Sequence, residues 1–539
     1  MAFQKKNFRV RNIPSFILGL NDLQSSDEIA QEELSNCENY TVENNSMATA
    51  PGYVTHDDSI ETNTGPFWGG TSFKKVDGDI ANVRQRQGVL EYALNGSSIW
   101  TTCTLPTEGS PATAISLTEI PCVFASLNDI VLWTNGTDTI MSSADGITWV
   151  LQAALPKCKV ILENAKNRLV YIAQTTNPFR IDWSGINDPL TIGASSYQLL
   201  DPNNYGFILG GGLTPDGTTL IFKEGGLYTI SDYVDDGIID MNFVGAIKFS
   251  SHQTVQTTEN SVIWYGLDYF YEFIGGTVRA ISGKINPVGR NGVKRGDLMC
   301  SGFDNGKYYC SMPDANVDLT YNSQEYVIHK TINRQDASQP YVITRNRRYF
   351  GCYFKEDYDN SGGGRDIRLY VGDSRTADQL PSEGSPAVRE DPIFAYVDLA
   401  REENQGLAGE SQEAFFETKY FTENVPFYVK KYKKAFTNCK FVSSATIKVG
   451  YRFDKFAEYV EVSIPVETSQ IDIKYEDGNQ GDFAEGYGFS QESINNLFVD
   501  LENTEKPRGI QFKIATNEIK DVIIFGLAYK FQIKSGKFK

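Results

Sequence analysis

Residues 206–232, GFILGGGLTPDGTTLIFKEGGLYTISD, constrain the chain more than any other stretch. An apolar run, Phe207-Ile208-Leu209, enters a glycine cluster. A turn at Pro215-Asp216-Gly217 follows, then the strand Thr218–Phe222, a second turn at Lys223–Gly226 and the strand Leu227–Ile230. Short β-branched and apolar runs broken by Asp-Gly or Gly-Gly are the pattern of antiparallel hairpins. The same cadence precedes it at Asn167–Ile172 and follows it at Ser261–Tyr265 and Tyr269–Phe273. One such unit cannot bury its apolar face alone, so the units must stack around a common centre.

The 539 residues leave room for several domains and a large core. Tyr at 29 and Phe at 32 favour sheet with aromatic cross-strand pairs. The formal charge of -18 argues against a protein that grips nucleic acid over its whole surface, while leaving room for an acidic channel that nucleic acid traverses without sticking. No apolar run reaches the roughly eighteen residues of a transmembrane helix. MAFQKKNFRVRNIP carries basic residues without a continuous apolar segment, so no secretory signal is expected, and the sequons at Asn39, Asn44, Asn95 and Asn135 are read as chance. Eight scattered cysteines without a CxxC pair read as reduced, buried thiols. Cys300 and Cys310 flank Asp304-Asn305-Gly306: a three-residue loop would set them opposite each other, a two-residue Asn-Gly turn on opposite faces.

Four segments follow. In residues 1–65, an N-terminal arm, Ser25 and Glu28 form a capping-box pattern, and Ala30, Leu34 and Cys37 share a helical face, predicting a short helix near 26–38. Residues 66–375 are strand and turn throughout, with blades near 66–103, 120–155, 159–195, 205–248, 252–285 and 294–375, the last long enough for two. Spacings of roughly 40–45 residues with four short strands each specify a β-propeller. Six blades are preferred, with seven as the competitor. Residues 376–413 are rich in Gly, Pro, Ser and Glu and read as a linker or surface loop that sets the angle between domains. Residues 414–539 return to strands, FFETKYF through VIIFGLAYKFQI, and suit a β-sandwich. One further short helix is expected at Gln491–Glu502, where Ile494, Leu497, Phe498 and Leu501 share a face. The fold class is thus all-β: an irregular propeller followed by a C-terminal sandwich, with a short N-terminal helix.

Ser143-Ala144-Asp145-Gly146-Ile147-Thr148-Trp149 has the form of an Asp-box, in which the carboxylate caps a turn and the Trp packs beneath the hairpin. Such boxes recur in sialidase-like propellers, but there is a single box here, and neither an arginine triad nor a Tyr–Glu pair is assignable. His56, His252 and His329 are scattered, against a histidine metal site or triad. Asp357–Gly362 matches the first half of a calcium loop, yet Arg368 stands where the bidentate Glu belongs, so it reads as an acidic hairpin tip. Gly210–Gly212 and Gly362–Gly364 lack the Lys-Ser/Thr and helix of a phosphate loop. Lys430, Lys431, Lys433 and Lys434 interleave with Tyr428 and Tyr432. Alternation puts Lys430 and Lys434 on the tyrosine side, in a solvated edge strand or a patch facing nucleic acid or a subunit. Tyr475–Phe489 reads as an exposed loop able to dock on a neighbour. No catalytic, cofactor-binding or metal residues are assigned.

The stretch GLNDLQSSDEIAQEELSNCENYTVENNSMATAPGY resembles an opening common in virion proteins of tailed bacteriophages: a Gly-Leu/Ile-Asn start, an acidic helix, a central Asn, then Gly-x-Leu, then Arg-x-Gly-Tyr. Asn36 or Asn39 supplies the asparagine and Pro51-Gly52-Tyr53 the end; Asn44–Met47 and Ala50 stand where that phrase has glycine and arginine. PFRIDWSGINDPLTIGASSYQLLD, with Trp183, Ser184, Gly185, Asp188 and Pro189, is similar to a second phrase of the same family. So is LTPDGTTLIFKEGGLYTIS, through Phe222, Lys223, Leu227, Tyr228 and Ile230, and the segment from Glu417 to Lys440 looks like the sandwich that follows the propeller. The family is the tail nozzle or hub of short-tailed phages, of the tail tubular protein B type. The resemblance implies a structural virion subunit, not an enzyme, made in the host cytoplasm. It implies a ring, expected to be a hexamer, contacting adaptor and fibre or tip proteins. Double-stranded DNA would pass transiently through its lumen, and no cofactor is implied. The runner-up is a carbohydrate-binding or sialidase-like propeller. A host scaffold propeller is disfavoured by the absence of WD or kelch signatures.

Overall fold

The computed structural model describes the chain except residues 1–7, 44–45, 52, 56–64, 76–77, 109–112, 234–238, 286–295, 315–319, 361–363, 376–393, 398–412, 424–428, 442–444, 467–493, 502–506, 517–521 and 534–539. Seven four-stranded antiparallel sheets dominate it. The first six occupy 67–102, 123–151, 158–199, 208–245, 256–280 and 300–346, each running from its innermost to its outermost strand in chain order. Innermost strands touch in sequence: Phe67–Lys74, Val123–Leu127, Cys158–Glu163, Ile208–Leu213, Gln256–Thr257, Cys300–Asp304 and Phe350–Asn360, the last returning to Phe67–Lys74. That circuit closes the propeller, and closure is one way an all-β chain removes exposed sheet edges.

The blade count is seven, not the preferred six. The seventh sheet takes Phe350–Asn360 and Gly364–Asp373, then Phe394–Val397, and finally Tyr53–Thr55. Its outer pairing, Ala395 with Thr55 and Val397 with Tyr53, joins the N-terminal arm to a strand inside the presumed 376–413 linker. That linker assignment is corrected to this extent. The strand-like run PIFAYVDLA, between polar stretches rich in Gly, Pro, Ser and Glu, contains this strand, and the Phe394 ring packs against Phe67 and Trp100 of the first blade at 5.4 and 5.2 Å.

The sandwich also draws on both ends of the chain. One sheet orders Tyr40–Glu43, Ser46–Thr49, Val522–Ile533, Lys430–Phe441 and Ile494–Asp500, with Arg9–Ile13 also on Val522–Ile533. The other orders Leu34–Glu38, Ala414–Thr418, Gln511–Thr516, Ala445–Arg452 and Val460–Val466. One continuous apolar core runs from Phe416, Phe512 and Tyr529 of the sandwich through Phe16 and Leu20 to Tyr308, Ile328 and Ile343 of the propeller.

Among the described residues neither expected helix forms. Leu34–Glu38 is a strand with a register shift between Leu34 and Asn36, and that bulge brings Leu34 and Cys37 to the same buried side at a spacing that imitates a helix. The Ser25 hydroxyl donates to Asp27 at 2.5 Å instead of capping. Ile494–Asp500 pairs with Lys430–Phe441, and Leu497, Val499 and Leu501 are buried at every second position, a strand period.

Local turn chemistry follows the sequence closely. Asn305 and Gly306 take φ of 46° and 71° in a two-residue turn, so Cys300 faces Ser311 while Cys310 faces Ser301. All eight cysteines are buried and free, and burial pushes thiols such as Cys158 and Cys310 up to about 12. In the Asp-box, Asp145 Oδ1 accepts from Ile147 N at 2.8 Å, Thr148 N at 2.7 Å and Ser143 Oγ at 2.8 Å. Trp149 is buried in the core of the first two blades. Burial alone would raise the Asp145 carboxyl, but the Thr148 and Ile147 amides outweigh it and hold it below the usual range. Asp145→Ala should cost about 1–2 kcal/mol, read as a lower urea midpoint with an unchanged slope.

Candidate functional site

The innermost strands carry glycine where neighbouring chain must pass close. A Cβ on Gly70 would lie 2.3 Å from the Phe354 ring, on Gly302 2.8 Å from Tyr353, and on Gly211 2.7 Å from Ile172. Gly210–Gly212 is therefore a packing device of the fourth blade. A cavity of about 340 Å³ lies among the inner strands, lined by residues of blades three to seven and their connections. Its apolar wall comes from Leu162, Val255, Phe303, Tyr353 and Phe354, and its polar groups from His252, Gln256, Thr257 and Lys355.

Each polar group is held. His252, in the short 3-10 turn His252–Thr254, places Nδ1 2.9 Å from the Gly211 carbonyl. Burial lowers this imidazole to about 4, against the pull of that carbonyl, so near neutral pH it is uncharged and Nδ1–H is the donor. Tyr353 donates to Glu325 Oε1 at 2.6 Å and shares a 2.6 Å hydrogen bond with Ser311. Glu325 is wholly buried; desolvation raises its carboxyl above the usual range despite the Tyr353 and Asn346 donors. Lys355 sits 3.6 Å from Asp304 and 5.9 Å from the Phe303 ring centre. Chemically, these groups can hold a small ligand by ring contact, one cation and one neutral imidazole.

Of the residues singled out in the sequence, only His252 and Gly211–Gly212 reach this cavity. His329 is buried elsewhere, 3.1 Å from Thr344 Oγ1 and 3.5 Å from Thr41 Oγ1, and burial lowers it to about 3. His56, the tip 361–363 of the calcium-like hairpin and the loop Tyr475–Phe489 lie outside the described residues. Among the described residues no His/Cys/Asp/Glu cluster suits a metal ion. The lysine run is not an edge strand, since Lys430–Phe441 lies between Val522–Ile533 and Ile494–Asp500. A register shift between Tyr432 and Lys434 turns Lys434 outward, with Lys431 and Lys433, and leaves Lys430 buried against the Arg508 carbonyl. Burial lowers the Lys430 ammonium to about 8. Tyr353, Phe354 and Lys355 were not legible as site residues; the sequence trace of the cavity was the isolated Gly302 within a strand run.

The architecture defined by this strand pairing is a seven-bladed propeller fused to a sandwich. No family model matches the chain, and no curated protein matches it by sequence. Among solved structures it is similar to the Pan2 WD40 domain of Neurospora crassa at 8% identity, covering 65% of this chain and 95% of that one, with a TM-score of 0.35. It is similar to an α-L-arabinanase of Penicillium chrysogenum complexed with arabinobiose, at 10% identity, 65% and 99% coverage and a TM-score of 0.31. It is also similar to a gluconolactonase of Xanthomonas campestris, at 9% identity, 51% and 92% coverage and a TM-score of 0.30. The expectation that the chain is not an enzyme is withdrawn, because the propeller architecture serves catalytic and non-catalytic proteins alike and does not set catalysis aside. Among the described residues no helix is long and apolar enough to cross a membrane.

Proposed function

We propose that this chain is a ring-forming subunit of a tailed-phage virion, placed in the tail as a nozzle or hub through whose lumen the genome leaves. The observation that carries the reading is where the phage-like opening phrase lies. Gly19–Tyr53 is the splice between propeller and sandwich. Leu20 N donates to the Ile343 carbonyl at 2.9 Å, and Gly19, with φ of +69°, has no room for a Cβ beside that carbonyl. Asn39, at φ of 59°, accepts from Arg347 N at 2.9 Å and donates through Nδ2 to the Glu413 carbonyl at 3.0 Å. Asn36 takes a 2.6 Å hydrogen bond from Arg345. The phrase thus specifies a propeller locked to a sandwich, the arrangement that the resemblance implies.

The innermost strands of one copy touch in sequence around its centre, so the reading places the lumen between copies and not within one. Six copies around an acidic lumen would repel DNA from the wall and let it slide. The reading predicts peptides of this chain at near-stoichiometric abundance in density-purified particles by mass spectrometry. Their absence from particles that contain the other tail proteins would contradict it. A second reading, glycan binding, has the aromatic wall of the cavity in its support. Retention on a glycan surface, lost on substituting Tyr353 and Phe354, would favour it.

A further inference from the structure

The described surface carries two unlike patches on different lobes. The first is the rim where the outermost strand of the third blade runs into the innermost strand of the fourth. Leu199, Phe207 and Phe243 are 47, 48 and 46% exposed and lie together rather than singly. They are contiguous with one another through Phe179, whose ring meets Phe207 at 5.3 Å, and Tyr205, which stacks on Phe243 at 4.8 Å. Leu199 pairs with Arg180, the neighbour of Phe179. Asp188–Leu199 and Ile239–Gly245 are the outermost strands here, so the patch also presents sheet edges. The exposed charges set in it are the carboxylates Glu224 and Asp240, with Asp201 half-buried; of its cations, Arg180 is tied to Asp182 at 2.6 Å and Lys223 is buried beneath Phe179.

The second patch is the outer face of the sandwich sheet built on Val522–Ile533. Exposed Lys433 and Lys530 hold their ammonium groups 4.6 and 5.5 Å from the Phe8 ring centre, and exposed Lys431 stands two residues before Lys433 on the same strand. Val10, opposite Lys530 in register, adds an exposed apolar side chain. Among the described residues no carboxylate forms an ion pair with these three lysines, a notable concentration of positive charge in a chain of net charge -18.

Resting on the ring reading above, we infer that these patches are the two halves of one head-to-tail contact: the acidic aromatic rim of one copy seats on the basic sheet face of the next. Charge complementarity selects a second copy as occupant, since each patch carries the sign that the other lacks, with apolar surface at the centre of both. Placement selects the head-to-tail mode. The sandwich docks beside Tyr341–Asn346 of the sixth blade, so the rim of blades three and four points away from it, and one molecule cannot join its own patches. Repeating such a heterologous contact builds a closed ring.

The test uses full-length chain and two patch variants, sized by light scattering and checked for native circular dichroism. One variant is Phe207→Asp with Phe243→Asp; the other is Lys431→Glu, Lys433→Glu and Lys530→Glu. Wild type should assemble, and less so at high salt. Each variant alone should stay at single-chain mass, and an equimolar mixture should give a dimer that grows no further, because it retains one intact contact. If both variants assemble like wild type, the ring uses other surfaces and this inference fails while the ring reading stands. A mixture that remains monomeric, or wild type that stays monomeric at all concentrations, also overturns it. Detection of the chain in particles decides the virion reading separately.

Discussion

Arg84→Ala is expected to lower stability by about 3–5 kcal/mol, the usual penalty for removing one member of a buried ion pair. Arg84 is fully buried in the first blade, and its Nε donates to Glu91 Oε2 at 2.8 Å. Its guanidinium lies 3.9 Å from the Trp100 ring centre, 4.6 Å from Phe394 and 4.9 Å from Phe67. Phe394 belongs to the seventh blade and Phe67 to the first, so the cation fills the seam where the propeller closes. Truncation leaves Glu91 buried without that partner and opens a void among three rings. The loss should be local first. Amides of Phe394–Val397 and Tyr53–Thr55 should exchange faster than those of the third and fourth blades. Adding Glu91→Gln should recover part of the loss. A urea midpoint unchanged within error would show that the seam is held elsewhere.

Glu33→Gln should produce a loss of similar size, about 3 kcal/mol, at a different place. Glu33 is buried between arm and propeller, 2.6 Å from Lys284, 2.5 Å from Arg334 and 2.8 Å from both Asn21 Nδ2 and Ala30 N. Burial works to raise its carboxyl, but the Lys284, Asn21, Ala30 and Arg334 donors win and hold it at about 2, below its ordinary 4.5. A depressed carboxylate contributes stability that is complete above about pH 4.5 and is lost as pH falls towards about 2. Wild type should therefore destabilise with acid across that window, and Glu33→Gln should show a flatter profile there. Equal acid slopes would assign the sensitivity to other groups.

Hairpins with strong turn chemistry were readable in advance. Asp216-Gly217, Asn305-Gly306 and the Asp145 box each fix a local geometry that needs no distant partner. The seventh blade was not readable, because its strands come from 350–373, 394–397 and 53–55, and no local pattern states that Thr55 will pair with Ala395. Bulges account for two further errors. One gave Leu34 and Cys37 a helix-like spacing, and another turned Lys434 away from the buried side of Tyr432. The cavity residues Tyr353, Phe354 and Lys355 come together with Gln256 and Gly302 only when the inner strands of blades five, six and seven pack side by side, so their convergence left little trace in the sequence. The two surface patches share that property, since Phe207 and Lys433 mean little until the lobes are placed.

The location of the chain in a phage particle tests the central claim most directly. Purified particles would be labelled with gold-conjugated antibody raised against this chain and imaged by electron microscopy. Gold confined to the tail, in register with a ring of repeated subunits, is the predicted result. Particles that stay unlabelled both intact and after disruption would contradict it and bring the glycan-binding propeller forward.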